Sequence, residues 1–253
     1  MTAELRELRE PARVLLVLDR PVLAAVVALA LTHGRYQTQV ARTEAAATAA
    51  LGAWHPHLAV VDMDLARDTI LERLGAARPP AERPPIIALT RRGDLATTLA
   101  AFAWGVDDVL VEPFAPEELV ARVLAVMRRT YGGGVAFTPV LRLGALEIDI
   151  LHRRVTAGGR ELHLTALEQS LLYLLAANAG RLLTRDEILD YLWGVDHAAE
   201  SNVVDRHVRN LRTKLADDWQ RPRYIATVPG RGYRFLPTAA DAPPPAAPPT
   251  TSV

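Results

Sequence analysis

Cysteine is absent from the 253 residues. That excludes a disulfide framework, a thiol nucleophile and any Cys-ligated zinc or iron–sulfur centre, and it fits a reducing, cytoplasmic setting. Lysine is almost absent as well: Lys214 is the single one among 29 basic residues, a compositional bias of GC-rich coding that carries no activity. Long hydrophobic runs are also missing. The longest, Pro21 to Thr32, is too short to span a bilayer and is followed by His33 and Arg35, while Met1 to Pro11 mixes charges without an apolar stretch. The sequence is therefore expected to be unexported, with no membrane partner.

Half of the residues are hydrophobic, enough for two domains each with its own core. A formal net charge of zero hides an uneven distribution. Residues 1–127 carry 13 basic and 16 acidic side chains, and residues 139–236 carry 14 and 12. Within the latter, 206–234 hold eight basic groups (Arg206, Arg209, Arg212, Lys214, Arg221, Arg223, Arg231, Arg234) against Asp217 and Asp218. Such a local excess suits a polyanion, with a solvated charged face as the alternative.

From 13 to 131 short apolar runs alternate with longer helical stretches. The runs are Val14 to Leu18, Tyr36 to Val40, Leu58 to Val61, Ile86 to Leu89 and Val109 to Val111. Near-continuous apolarity predicts strands buried on both faces, so the expected fold is α/β, a five-stranded doubly wound parallel sheet. Glycines 132–134 open a linker placed at 132–140. Leu141 to Leu164 alternates like antiparallel strands with a turn at Ala157 to Arg160. Helices follow at Thr165-Ala166-Leu167-Glu168 and Thr184-Arg185-Asp186-Glu187, both capping boxes. A third, Asn202 to Leu215, has Val204, Val208, Leu211 and Leu215 as its core stripe. Its other face presents Asn202, Arg206, Arg209, Asn210 and Thr213, side chains suited to phosphates and base edges. Tyr224 to Thr227 and Tyr233 to Leu236 then read as a hairpin with Arg231 at its tip. An α+β winged helix-turn-helix domain is therefore expected over 141–236, and the proline-rich 237–253 is expected to be disordered.

These residues resemble a known family. Leu164 to Glu168, Gly180 to Arg185, Leu192-Trp193-Gly194, Val204 to Arg212 and Gly230 to Phe235 resemble, in order, the effector domain of OmpR/PhoB-type response regulators. The first half is similar to that family's receiver domain. The resemblance implies a phosphoacceptor pocket in which Asp62 is the acceptor, Asp19 the second of two Mg²⁺-binding acids and Thr90 the hydroxyl after the fourth strand. Three positions depart from it: Leu18 replaces the first acid, Glu112 the lysine before Pro113, and Val109 the aromatic switch residue.

Phosphoryl transfer to a carboxylate needs cations around the phosphoryl oxygens. At about 4 Å and an effective dielectric near 20, exchanging Lys for Glu turns roughly 4 kcal/mol of attraction into comparable repulsion. We therefore expect an atypical receiver independent of aspartyl phosphorylation. Its crowded Asp19, Asp62 and Glu112 would be left-over acids, would share a proton, or would hold Mg²⁺, with Asp19 and Asp62 as ligands; no cofactor is required.

The family resemblance further implies a homodimer through the receiver, with Leu95, Leu99, Phe102, Trp104, Asp107, Asp108 and Arg122 as candidates. Thr98 and Ala103 stand where charged partners are usual, so apolar burial should replace ion pairing there; packing onto the domain's own sheet is the alternative for about half of these residues. On double-stranded promoter DNA with tandem half-sites, Arg206, Asn210 and Asn202 are expected at base edges, Arg209, Arg212 and Thr213 at phosphates, and Arg231 at the minor groove, with Pro229 departing from the usual arginine. His207 is read as packed or phosphate-facing, not as a metal ligand. Residues 194–201 match the loop that touches RNA polymerase in family activators. Three rival readings remain. One is a conventional phosphorylation-switched regulator using Asp62. Another is a haloacid-dehalogenase-like phosphatase built on Asp62-Met63-Asp64, with Ala66 where threonine is expected and no catalytic lysine. The third is a receiver that senses a small molecule through its altered pocket or Arg91-Arg92.

Overall fold

The computed structural model describes residues 11–32, 36–65, 68–75, 83–91, 95–132, 140–194 and 202–236. Ala66, Arg92, most of the expected linker, residues 195–201 and the tail 237–253 lie outside the described residues.

Five parallel strands, β1 (Ala12–Val17), β2 (Tyr36–Ala41), β3 (Leu58–Asp62), β4 (Ile86–Thr90) and β5 (Asp108–Val111), form one sheet in the order β2-β1-β3-β4-β5. The β3 and β4 runs are buried throughout, whereas edge strand β2 exposes Gln37 and Gln39. The crossovers contain α1 (Pro21–Thr32), α2 (Glu44–Trp54), α3 (Asp68–Arg73) and α4 (Leu95–Ala103), and α5 (Pro116–Tyr131) follows β5. In α5, Glu117 and Glu118 lie in the first turn and Arg128 and Arg129 in the last, matching the helix dipole. Gly132, at φ 81°, ends it by donating its N–H to the Arg128 carbonyl. Because the order reverses at β1, the carboxyl ends of β1 and β3 open a crevice there.

The second half begins with an antiparallel meander, β6 (Val140–Leu143), β7 (Leu146–Asp149), β8 (Arg154–Ala157) and β9 (Arg160–Leu162). Helices α6 (Ala166–Ala177), α7 (Arg185–Trp193) and α8 (Val203–Leu215) follow. Both expected capping boxes are formed, Thr165 with Glu168 and Thr184 with Glu187. Asn202 sits at the N-cap of α8 and makes no side-chain cap bond. The hairpin strands β11 (Ile225–Val228) and β12 (Gly232–Phe235) are joined by a strand the sequence did not announce, β10 (Leu182–Thr184), giving the sheet order β10-β12-β11.

The expectation of two separate cores needs correction. Helix α1 is apolar around most of its circumference, and such a helix must be covered on more than one side. It packs on β2 and α5 within its own domain and on α6 and α7 of the other, so a single apolar cluster runs from β1 through α1 to α8 and β12. Arg153 adds an ion pair to Glu117 across the junction at 3.1 Å.

Backbone proximity is tightest where β12 meets β10. Gly232 has φ 155°, and a Cβ there would stand 2.0 Å from the Leu183 carbonyl oxygen. Gly232→Ala must break that pairing; we expect a loss of about 3 kcal/mol in denaturant unfolding, and an unchanged midpoint would show that the strand moves aside freely.

Candidate nucleic-acid interface and receiver pocket

Spacing on α8 separates its two faces. Val204, Val208, Leu211 and Leu215 are buried, and Asn202, Arg206, Arg209, Asn210 and Thr213 are all exposed, one turn or less apart along the opposite side. The Thr213 hydroxyl donates to the Arg209 carbonyl at 3.1 Å. Arg231 is exposed at the tip of the β11–β12 turn.

Two members of the basic cluster are engaged within the fold instead. Arg212 Nη2 donates to the Ile225 carbonyl at 2.6 Å and to Thr227 Oγ1 at 2.8 Å, with its guanidinium 5.7 Å from the Tyr233 ring centroid. It is a strut between α8 and the hairpin, which differs from the expected free phosphate contact. Lys214 Nζ donates to Glu168 Oε2 at 2.6 Å and to the His163 carbonyl at 2.9 Å. The polyanion footprint is therefore smaller than the charge count.

Carboxylates fix the angle between helix and hairpin. Asp205 accepts from Arg185 Nε at 2.8 Å and from the Tyr233 hydroxyl at 2.7 Å, while Arg185 lies over the Tyr233 ring at 5.2 Å. Burial pushes the Asp205 carboxyl up, but the bonds from Arg185 and Tyr233 outweigh it and hold the group below the usual carboxylate range. Beyond the end of α8, buried Asp217 accepts the N–H groups of Arg223, Tyr224 and Ile225 at 2.6, 3.1 and 2.8 Å. His207 packs against Trp193, ring centroids 5.6 Å apart. Burial and the nearby Arg206 lower its pKa, which favours the neutral imidazole.

In the receiver pocket Asp62 closes β3 with 1% of its surface exposed. Thr90 closes β4, buried, with no hydrogen-bond partner for its hydroxyl among the described residues. The N–H of Glu112 donates to the Thr90 carbonyl at 2.8 Å. Between the two carboxylates lies Arg20, which sequence reasoning passed over. Its Nε and Nη2 donate to Asp62 Oδ2 at 3.2 and 3.0 Å, its Nη1 donates to Glu112 Oε2 at 2.7 Å, and Nη2 also contacts Glu112 Oε1. Burial alone would weaken the guanidinium's charge, but Glu112 and Asp62 more than compensate and raise its pKa. The expected crowd of repelling acids is thus corrected: one arginine neutralises two of them, and Asp19 is exposed. This donor set does not fit Mg²⁺. Asp62 Oδ1 accepts the Asp64 N–H at 3.0 Å, Oδ2 is held by Arg20, Leu18 brings no carboxylate, and no group of three metal-ligating side chains converges among the described residues.

On α4, Leu95, Leu99 and Phe102 follow one another at helical spacing and are 70%, 57% and 48% exposed, with Val111 of β5 at 40%. The other expected partner-facing residues are engaged within the chain. Trp104 packs half-buried on its own core. Asp107 accepts from Arg83 at 2.6 Å and from the Ile86 N–H at 2.8 Å. Asp108 pairs with Arg122 at 3.0 Å, and Arg122 also binds Glu118 at 2.8 Å.

Residues 14–124 match the family described as "Response regulator receiver domain" and residues 159–235 the one described as "Transcriptional regulatory protein, C terminal". The chain is 32% identical over 222 residues to the transcriptional regulatory protein KdpE of Mycobacterium tuberculosis, covering 88% of this chain and 98% of that one. It is 33% identical over 225 residues to the DNA-binding response regulator MtrA of Mycolicibacterium smegmatis, covering 89% and 97%. Among solved structures, the response regulator DrrB of Thermotoga maritima, an OmpR/PhoB homologue, is 30% identical, with 89% and 99% covered and a TM-score of 0.38. No helix among the described residues is long and apolar enough to cross a membrane. With a receiver-type parallel sheet in its first half and a winged helix in its second, the chain belongs to the OmpR/PhoB family of response regulators, DNA-binding transcriptional regulators and not enzymes.

Proposed function

We propose that this regulator binds tandem promoter half-sites as a receiver-mediated homodimer, without needing an aspartyl phosphate. The observation that carries the reading is the Arg20 bridge between Asp62 and Glu112. An acceptor aspartate must present a free oxygen to the phosphoryl donor and be surrounded by cations as charge builds. Here the cation on Asp62, Arg20, is already shared between two carboxylates, and releasing it would leave Glu112 facing a phosphoryl dianion. The pocket's charge is balanced with no added group, so a state that elsewhere waits for phosphate is open to the unmodified chain.

Dimerisation is assigned to α4, where Leu95, Leu99 and Phe102 form an apolar stripe needing no charge switch. Helix α8 enters the major groove with Arg206, Asn210 and Asn202 toward base edges and with Arg209 and Thr213 toward phosphates. Arg231 reaches the neighbouring minor groove. The phosphorylation-switched alternative rests on Asp62 and Thr90, both at the expected strand ends.

A DNA site selected by the purified, unmodified protein from a random-sequence pool provides the assay. Asp62→Asn, and acetyl phosphate with Mg²⁺, should each leave affinity in fluorescence anisotropy within about twofold; tightening by the phosphodonor that Asp62→Asn abolishes would establish the switched reading. Arg206→Ala combined with Asn210→Ala should erase preference for the selected site, costing about 1–3 kcal/mol per lost base contact, while weak salt-sensitive binding persists. Leu99→Asp should give a monomer in sedimentation equilibrium. Its affinity for a single half-site should stand, while its affinity for the tandem site falls by about a hundredfold.

A further inference from the structure

Helix α8 ends at Ala216, whose left-handed backbone, φ 52°, turns the chain off the helix axis. The residues that follow are held by two carboxylates. Asp217 accepts the N–H groups of Arg223, Tyr224 and Ile225, and Asp218 Oδ1 accepts that of Gln220 at 3.0 Å. Between these anchors stands Trp219, 67% exposed, whereas Trp54, Trp104 and Trp193 are half-buried. A single exposed apolar side chain is ordinary on a protein surface. What distinguishes Trp219 is its position. With Arg209, Thr213 and Asp218 it lines an open groove of about 690 Å³ beside the C-terminal half of α8.

The polar groups of that groove are not equivalent. Arg212 is spent on the Ile225 carbonyl and on Thr227, and the Thr213 hydroxyl on the Arg209 carbonyl. Arg209 is left as the exposed cation, within the helix, while exposed Asp218 lies past its end. An anion therefore belongs at the Arg209 end, and a neutral body with an apolar side belongs against the indole. A nucleic-acid strand supplies both in alternation, as phosphate and sugar. We propose that the groove seats the backbone of one DNA strand at the edge of the major groove, a phosphate on Arg209 and the adjoining deoxyribose against Trp219. The assignment rests on α8 turning its polar face to DNA, and it carries that face beyond the end of the helix. Two observations favour DNA over a protein partner. Arg209 and Thr213 belong at once to the groove and to the exposed side of α8. Among the described residues Trp219 is also the sole large hydrophobic side chain exposed in the winged-helix domain, with exposed Arg221 and Arg223 following it, where the core of a protein interface would need apolar neighbours. A backbone contact adds affinity without reading bases.

Fluorescence anisotropy of the full chain on a duplex carrying one half-site of the selected sequence tests it. Trp219→Ala should weaken binding about tenfold and Trp219→Phe no more than about threefold, and neither should change the order of preference among altered half-sites. Because the indole is uncharged, Trp219→Ala should keep the slope of log affinity against log salt, whereas Arg209→Ala should reduce its magnitude by about one. The part of the tryptophan emission that Trp219→Phe removes should become less accessible to acrylamide when DNA binds. Affinity of Trp219→Ala within about twofold of the parent, or an indole equally open to acrylamide with and without DNA, would overturn the assignment. So would a loss on tandem half-sites with none on a single one, since Trp219 would then meet the neighbouring copy. Should Arg206→Ala with Asn210→Ala leave site preference intact, the orientation of α8 fails and this contact with it. If that pair erases preference while Trp219→Ala is indifferent, the contact alone falls.

Discussion

A helix with too much apolar surface for one neighbour organises the molecule. Leu23, Val26, Val27 and Leu31 of α1 are essentially inaccessible to water, and burying each such side chain contributes about 1.5–3 kcal/mol. The receiver sheet can cover only one side of the cylinder. The remainder is covered by α5 of the same domain and by α6 and α7 of the other, so the position of the winged-helix domain follows from the composition of a receiver helix. In this arrangement the polar face of α8 and the apolar face of α4 are both left exposed.

The charge arrangement in the receiver sits at the start of that same helix. Arg20 immediately precedes α1, and its guanidinium holds the ends of β3 and β5 together through Asp62 and Glu112. A repulsion of roughly 4 kcal/mol between two close carboxylates is thereby replaced by two attractions. Removing one partner from such a set leaves an uncompensated charge, which is costlier than never having built it. The acceptor pocket and the domain junction therefore share one boundary, and Tyr191 of α7 lies within electrostatic reach of Glu112.

Much of this was legible in the sequence, for identifiable reasons. Doubly buried strands announce themselves as unbroken apolar runs, and the paired Thr and Glu of each capping box mark helix starts. The core stripe of α8 leaves its exposed face by subtraction. Strand β10 escaped because three residues are too few for periodicity to register, and its pairing with β12 spans some fifty positions. Arg20 escaped because it matches no motif, although a glutamate where lysine is expected calls for a counter-ion nearby. Charge counting also overstated the DNA footprint, since it cannot tell a free guanidinium from one spent on the Ile225 carbonyl, as Arg212 is. The contacts of Trp104 and Asp107 within the chain stayed hidden for a similar reason, because their partners, the sheet core and Arg83, are distant in sequence.

The chain's sole lysine lies in the last turn of α8, its amine held by Glu168 and by the His163 carbonyl, and the bond that follows it leads into buried Leu215. A protease that cuts only after lysine thus has one target in the whole polypeptide, inaccessible until α8 unravels. The rate of that single scission reports the opening of the winged-helix domain alone, with no label attached.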